Sequence, residues 1–124
     1  LHEAGDCFVS LARTEGWGLG AFEAARLGKP VIMTGYGGQR DFLDPALSQL
    51  VDFDMVPVDE PIWRANYRPS DRWAEPSLAQ TSSLMRGMVQ DATGARRRAG
   101  LQAARITSEF AAERTMQRLL EALA

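Results

Sequence analysis

The sequence predicts an α/β fold, a parallel sheet of about three strands with helices filling the C-terminal end. Two short apolar runs, one within Asp6 to Leu11 and the other Val31-Ile32-Met33, read as strands buried on both faces. A helical stretch from about Leu19 to Leu27 separates them, so the strands run parallel through a right-handed crossover. Beyond Ser77 the apolar residues recur at helical spacing.

Taken in order, the first strand runs into the polar, glycine-rich segment Arg13-Thr14-Glu15-Gly16-Trp17-Gly18. The helix that follows offers Phe22, Ala24, Ala25 and Leu27 for packing; Gly28 suits the left-handed residue past its end, and Pro30 prevents continuation. The second strand leads into another glycine-rich loop, Gly35-Tyr36-Gly37-Gly38, and a short helix through Phe42. A third strand is expected within Leu50 to Val58, with Pro57 pointing to an edge. Pro61 to Pro76 reads as an irregular loop carrying Trp63, Tyr67 and Trp73. Ser77 and Gln80 form a capping box for a helix with the stripe Leu84, Met85, Met88 and Val89, and Gly94 is expected to break it. Further helices span about Ala95 to Phe110 and Ala112 to Leu123, the last with Met116, Leu119, Leu120 and Leu123 on one stripe.

The 124 residues fit one domain, and 45% hydrophobic with 24% charged residues is the composition of a globular protein. A net charge of −2 argues against nucleic acid as a partner, because no basic excess exists to neutralise a phosphate backbone. The only basic run, Arg96-Arg97-Arg98, sits in a helical stretch and reads as a solvated face. No apolar run approaches the ~20 residues of a membrane span. Cys7 is the single cysteine, so no intrachain disulfide forms and a reducing compartment is expected; the residue reads as a buried strand thiol. His2 has no partners for a metal site.

Chemistry concentrates at the carboxyl ends of the first two strands, where open parallel sheets bind ligands. Gly16, Gly18 and Gly20 let a ligand approach the main chain, and the helix starting near Leu19 presents backbone N–H groups that suit a phosphate. Glu15 and Glu23 bracket this anion site. A carboxylate repels phosphate but accepts hydrogen bonds from a sugar diol. Hydroxyls, phosphates, then more hydroxyls is the layout of a nucleotide sugar. Singly, Glu15 reads as well as a solvated loop charge and Glu23 as an acid favoured by the helix dipole; their joint placement around the glycines is what points to a ligand. A dinucleotide fingerprint fits less well: in Gly16-x-Gly18-x-Gly20 the last glycine is misplaced, and Met33-Thr34-Gly35 closes the next strand without an acid.

Glu15-Gly16-Trp17-Gly18-Leu19-Gly20-Ala21-Phe22-Glu23-Ala24 resembles the E-x7-E signature of glycosyltransferase family four, also called group one. Arg26-Leu27-Gly28-Lys29-Pro30-Val31-Ile32 and the pair Gly37-Gly38 continue the resemblance, which covers roughly Gly5 to Leu43. It implies the second, Rossmann-like, donor-binding domain of a GT-B enzyme, with residues 1–124 as the C-terminal half of that domain. It also implies transfer with retention of anomeric configuration and no metal or other cofactor. Carried over, Glu23 binds the ribose hydroxyls, Glu15 faces the donor sugar as the catalytic-centre residue, and backbone N–H groups from Gly16, Trp17, Gly18, Leu19 and Gly20 contact sugar and phosphate oxygens. Gly37 and Gly38 form a candidate second loop. The family's glutamate after the glycine pair is absent; Gln39-Arg40-Asp41 stands there, with Asp41 as the candidate replacement. Trp73-Ala74-Glu75-Pro76 is similar to a stretch in members that build surface polysaccharides.

The family's diphosphate-gripping Arg and Lys, and its acceptor-binding domain, fall upstream of Leu1. The expectation is therefore a piece of a longer cytoplasmic enzyme, peripheral to the membrane, that is inactive alone and receives its glycan or lipid-linked acceptor from the other domain. A non-catalytic nucleotide- or dinucleotide-binding module is the alternative. With its upstream neighbour removed, the strand at Asp6 to Leu11 is expected to expose an edge through which two copies can pair as a homodimer.

Overall fold

The computed structural model describes residues 4–59 and 66–124. Three strands, β1 (Phe8–Ser10), β2 (Val31–Thr34) and β3 (Gln49–Val51), form a parallel sheet in the order β1-β2-β3. The predicted α/β class holds, and the arrangement is that of a partial Rossmann-like sheet. All four β2 residues are buried, as befits the central strand, whereas β1 pairs only with β2 among the described residues and leaves Val9 40% exposed at the sheet margin.

Helix α1 (Leu19–Arg26) makes the crossover from β1 to β2. Its buried residues are Ala21, Ala24 and Ala25, whose small side chains let the helix lie close on the sheet. Gly28 takes the left-handed conformation expected after the helix, with φ 70°. Successive strand residues face opposite ways. Val31 and Met33 accordingly join the alanines, Phe42, Leu43 and Ile106 in one core, with Phe8, Phe22, Leu50 and Phe110 around it.

Ile32, fully buried, faces the other side, towards α2 (Leu78–Gln90). Helix α3 (Ala92–Glu109) supplies Ile106 to the α1 side, so helices cover both faces.

The expected third strand divides in two. Gln49–Val51 adds to the parallel sheet, and after Asp52 the chain leaves it as β4 (Phe53–Pro57). That strand pairs antiparallel with β5 (Arg72–Pro76), from Phe53↔Pro76 to Pro57↔Arg72. The reading of Pro61 to Pro76 as wholly irregular is thus corrected: Trp73 and Ala74 are buried strand residues. Prolines at two ends of this ladder hid it, yet a two-stranded ribbon tolerates proline because both strands are edges. Trp63 lies outside the described residues.

Two helix boundaries also differ. The break falls at Asp91, not Gly94; Asp91 Oδ1 accepts from Gly94 N–H at 2.9 Å and caps α3, whose first turn contains that glycine. At Ser77 half of the capping box forms, with Oγ accepting from Gln80 N–H at 3.2 Å. The Gln80 carboxamide turns instead to Asp52, accepting from its N–H at 2.6 Å and donating to its carboxylate at 3.0 Å, while Ser77 N–H donates to Asp52 O at 2.9 Å. The cap thus fastens α2 to the point where the chain changes sheets. Ser77→Ala should lower stability by about 1 kcal/mol, read as a drop in the thermal unfolding midpoint.

The apolar stripes do not enter the core. On α2, Met85 and Val89 are exposed, and α4 (Ala112–Leu123) buries none of its residues, with Met116, Leu119, Leu120 and Leu123 all more than half exposed. Arg96 and Arg97 are exposed as expected, Arg96 pairing with Asp6 at 3.2 Å; Arg98, only part-exposed, reaches Asp91 at 3.5 Å. Among the described residues no helix is long and apolar enough to cross a membrane.

Candidate functional site

Parallel pairing brings the carboxyl ends of β1 and β2, at Ser10 and Thr34, to the same edge of the sheet, and both glycine-rich loops leave from there. The first loop is anchored at Arg13. Its carbonyl accepts from Ala74 N–H at 3.1 Å, its guanidinium meets Glu75 at 2.6 Å, and it lies 4.5 Å from the Trp73 ring centre. At the far end the Trp17 indole packs against Phe22, Phe42 and Phe110, with ring centres 6.0, 5.1 and 5.7 Å away. This aromatic cluster, reaching the last turn of α3, holds the loop shut. Trp17 therefore packs on one side against these rings, while 37% of the residue stays exposed.

Gly18 takes a left-handed conformation, φ 84° and ψ 51°, immediately before α1, which starts without any side-chain cap. The N–H groups of its first turn are thus not claimed by a capping side chain, the condition under which a helix N-terminus attracts an anion. Gly20 lies under the Phe8 ring, where an added Cβ would be 3.3 Å from it, so this glycine serves helix–strand packing. Leu19 is exposed.

The second loop continues the sheet through Gly35 N–H, which donates to Val51 O at 2.9 Å. Tyr36 stands half-exposed with its ring edge-on to Phe53 at 5.3 Å. Gly37 follows at φ 110° and ψ −168°, then a 3-10 turn over Gly38–Asp41.

Here the two loops touch backbone to backbone. A Cβ on Gly37 would lie 2.5 Å from the Glu15 carbonyl oxygen, and one on Gly38 would overlap the Gly16 carbonyl. The glycine pair is the seat on which Glu15 and Gly16 rest.

An open recess of about 690 Å³ lies over this contact, lined by Glu15, Gly16, Tyr36, Gly37, Gly38, Arg40 and Asp41. The side chains of Glu15, Arg40 and Asp41 are exposed and make no hydrogen bond or ion pair among the described residues. The structure thus brings Glu15 and Gly16 to the second loop and adds Asp41, at the position where the sequence departs from the family pattern. Glu23 stands exposed on α1, neither in the core nor in the lining of this recess. Sequence reasoning passed over Tyr36 and Arg40; their only signal was adjacency to Gly37-Gly38. Two carboxylates can accept from sugar hydroxyls, a guanidinium can pair with an anionic group, and the glycine backbone can approach either.

Beneath the recess lies Gln39, fully buried. Its Nε2 donates to Thr34 O at 2.6 Å and to Tyr36 O at 2.5 Å, bridging the start of the second loop. Among the described residues its Oε1 has no partner, and neither does the buried Thr34 Oγ1. Two bonds contribute about 0.5–1.5 kcal/mol each, and an orphaned buried acceptor costs about 1–3 kcal/mol. The carboxamide is close to neutral for stability; what it sets is the course of the loop.

Cys7 lies half-buried just ahead of β1 rather than within it, where burial pushes its thiol pKa up. A protonated thiol is a poor nucleophile, in keeping with a packing role. It borders an apolar groove of about 320 Å³ between the β1 edge and α2, together with Val9, Ile32, Met85, Met88 and Val89.

No known family, curated protein or solved structure was found to match this chain.

Proposed function

We propose that this chain forms the donor-binding part of a retaining glycosyltransferase of the E-x7-E type, holding a nucleotide sugar without a metal and transferring the sugar to a glycan or lipid-linked acceptor held elsewhere in the full-length protein. The observation that carries the reading is the seating of Glu15 and Gly16 on Gly37 and Gly38, at the carboxyl ends of two adjacent parallel strands, with Glu15 lining the recess and its carboxylate unpaired among the described residues. An unpaired carboxylate beside exposed glycine backbone suits a ligand that presents hydroxyls and phosphates together.

In this reading Glu15 meets the donor sugar next to the reacting carbon, and Asp41 lines the same recess. The diphosphate approaches the uncapped start of α1 through Gly16 to Gly20, and Glu23, further along the helix, takes the ribose diol. Stabilisation of the leaving diphosphate falls to cations outside these residues.

In the full-length protein, Glu23→Ala should weaken nucleotide-sugar binding by about 1.5–3 kcal/mol, the range for a hydrogen bond to a charged group. Glu15→Ala should lower kcat more than it raises KM, because the interaction is made close to the reacting centre. Calorimetric titration and steady-state kinetics on both variants test the assignment. Small and equal effects from the two changes would exclude it.

A further inference from the structure

We propose that Gln39 is a positioning residue for the donor: its carboxamide fixes the second glycine loop so that Gly37 and Gly38 can seat Glu15 and Gly16. This inference rests on the donor-binding reading of the recess.

Gln39 touches both halves of the site. Through Nε2 it ties Thr34 O, the last carbonyl of β2, to Tyr36 O within the loop. Of the two polar atoms of the carboxamide only the nitrogen can donate to carbonyl oxygens, so the orientation of the side chain is settled by its partners. Its Cβ lies 3.4 Å from where a Cβ on Gly18 would stand, and its Oε1 lies 2.8 Å from where one on Gly37 would stand. The side chain is thus wedged between the left-handed residue that starts α1 and the residue that carries the Glu15 carbonyl. Gln39 cannot touch a ligand, because it is fully buried.

The orphaned Oε1 argues against a purely stabilising role. An unbranched apolar side chain would fill the same volume without burying an unpaired acceptor. It would also release both carbonyls, and the loop would lose the bridge between Thr34 and Tyr36. The consequence should therefore appear in the site more than in the fold.

The experiment compares Gln39→Met and Gln39→Glu with wild type in the full-length protein. Gln39→Met keeps length and volume but donates nothing. It should lower the unfolding midpoint only moderately, since removal of the unpaired Oε1 offsets part of the cost of the two released carbonyls, speed amide hydrogen exchange over residues 35–38, and lower kcat/KM about 10–100-fold, the scale of a misplaced site. In Gln39→Glu the introduced carboxyl faces two carbonyl oxygens in a buried place, which favours its protonated form. A carboxyl whose folded-state pKa is raised acts as donor at low pH and loses that role as pH rises through the folded value. Nucleotide-sugar affinity of this variant should fall with rising pH in a window where wild type is flat.

Gln39→Met with wild-type exchange and kcat/KM within twofold of wild type would overturn the proposal, as would a Gln39→Glu pH profile superimposable on that of wild type. A wild-type protein that binds no nucleotide sugar would overturn the reading of the recess, and the positioning role with it. The two failures differ because only the second appears without any substitution.

Discussion

Gly37→Ala should destabilise the chain by about 2–6 kcal/mol, a large part of the ~5–15 kcal/mol by which a domain is stable. Two costs combine. At φ 110° and ψ −168° the backbone is in a region open essentially to glycine alone, worth about 1–3 kcal/mol for any other residue. The added methyl would also sit 2.5 Å from the Glu15 carbonyl oxygen, and forcing such overlaps apart costs about another 1–3 kcal/mol. Neither partner can yield cheaply, since one is backbone and the other the buried Gln39. Gly16→Ala, on the facing loop, is the control. Nothing lies within 4 Å of a Cβ there and its φ is not positive, so stability should stay within about 0.5 kcal/mol of wild type. Its methyl would stand in open space on a residue that lines the recess, so under the proposed function it should act on donor binding. Urea unfolding of the two variants separates the glycine that shapes the site from the one that borders it.

Gln102→Leu should cost about 2–6 kcal/mol, more than Gln39→Met, which releases two carbonyls but also removes an acceptor that is already unpaired. Both glutamines are buried, but the Gln102 carboxamide is satisfied at both ends. Its Oε1 accepts from Asp44 N–H at 2.9 Å and Ser48 Oγ at 3.3 Å, and its Nε2 donates to Phe42 O at 2.6 Å. These bonds tie α3 to the segment that runs from the second loop into β3. Leucine fills the space but strands the Asp44 N–H and the Phe42 carbonyl, each at about 1–3 kcal/mol. A lower urea midpoint with an unchanged slope is the expected result. An unchanged midpoint would mean that these groups find other partners.

Where the sequence was legible, it was so through local chemistry. Apolar runs with no polar interruption marked β1 and β2, and the Gly28–Pro30 signal placed the end of α1 to within a residue. What escaped depended on residues distant in the chain. The β4–β5 ladder needs partners some twenty positions apart, and its prolines read locally as loop. Gln80 looked like the partner of Ser77 because both lie in one turn, and Asp52, which captures it, lies outside that turn. At the site, Glu15 and the glycines were found by motif. That Gly37 and Gly38 support the backbone of Glu15 and Gly16 was not, since no sequence pattern tells which two loops touch.

The stripes on α2 and α4 show the same limit from the other side: periodicity foretold helices, and says nothing of what covers them.

Arg13 stands two residues ahead of Glu15 and belongs, by its contacts, to the hairpin. Its carbonyl completes the backbone bonding of Ala74, while its guanidinium is gripped by Trp73 and Glu75. The Glu15 main chain is seated on Gly37, which follows directly from the parallel sheet. The glutamate is thus held like a string between two posts set in separate sheets. Tilting the β4–β5 ribbon against the parallel sheet moves one post and not the other, so the tension is taken up in Thr14 and Glu15. The placement of this small ribbon therefore bears on where Glu15 stands, although no residue of the ribbon lines the recess.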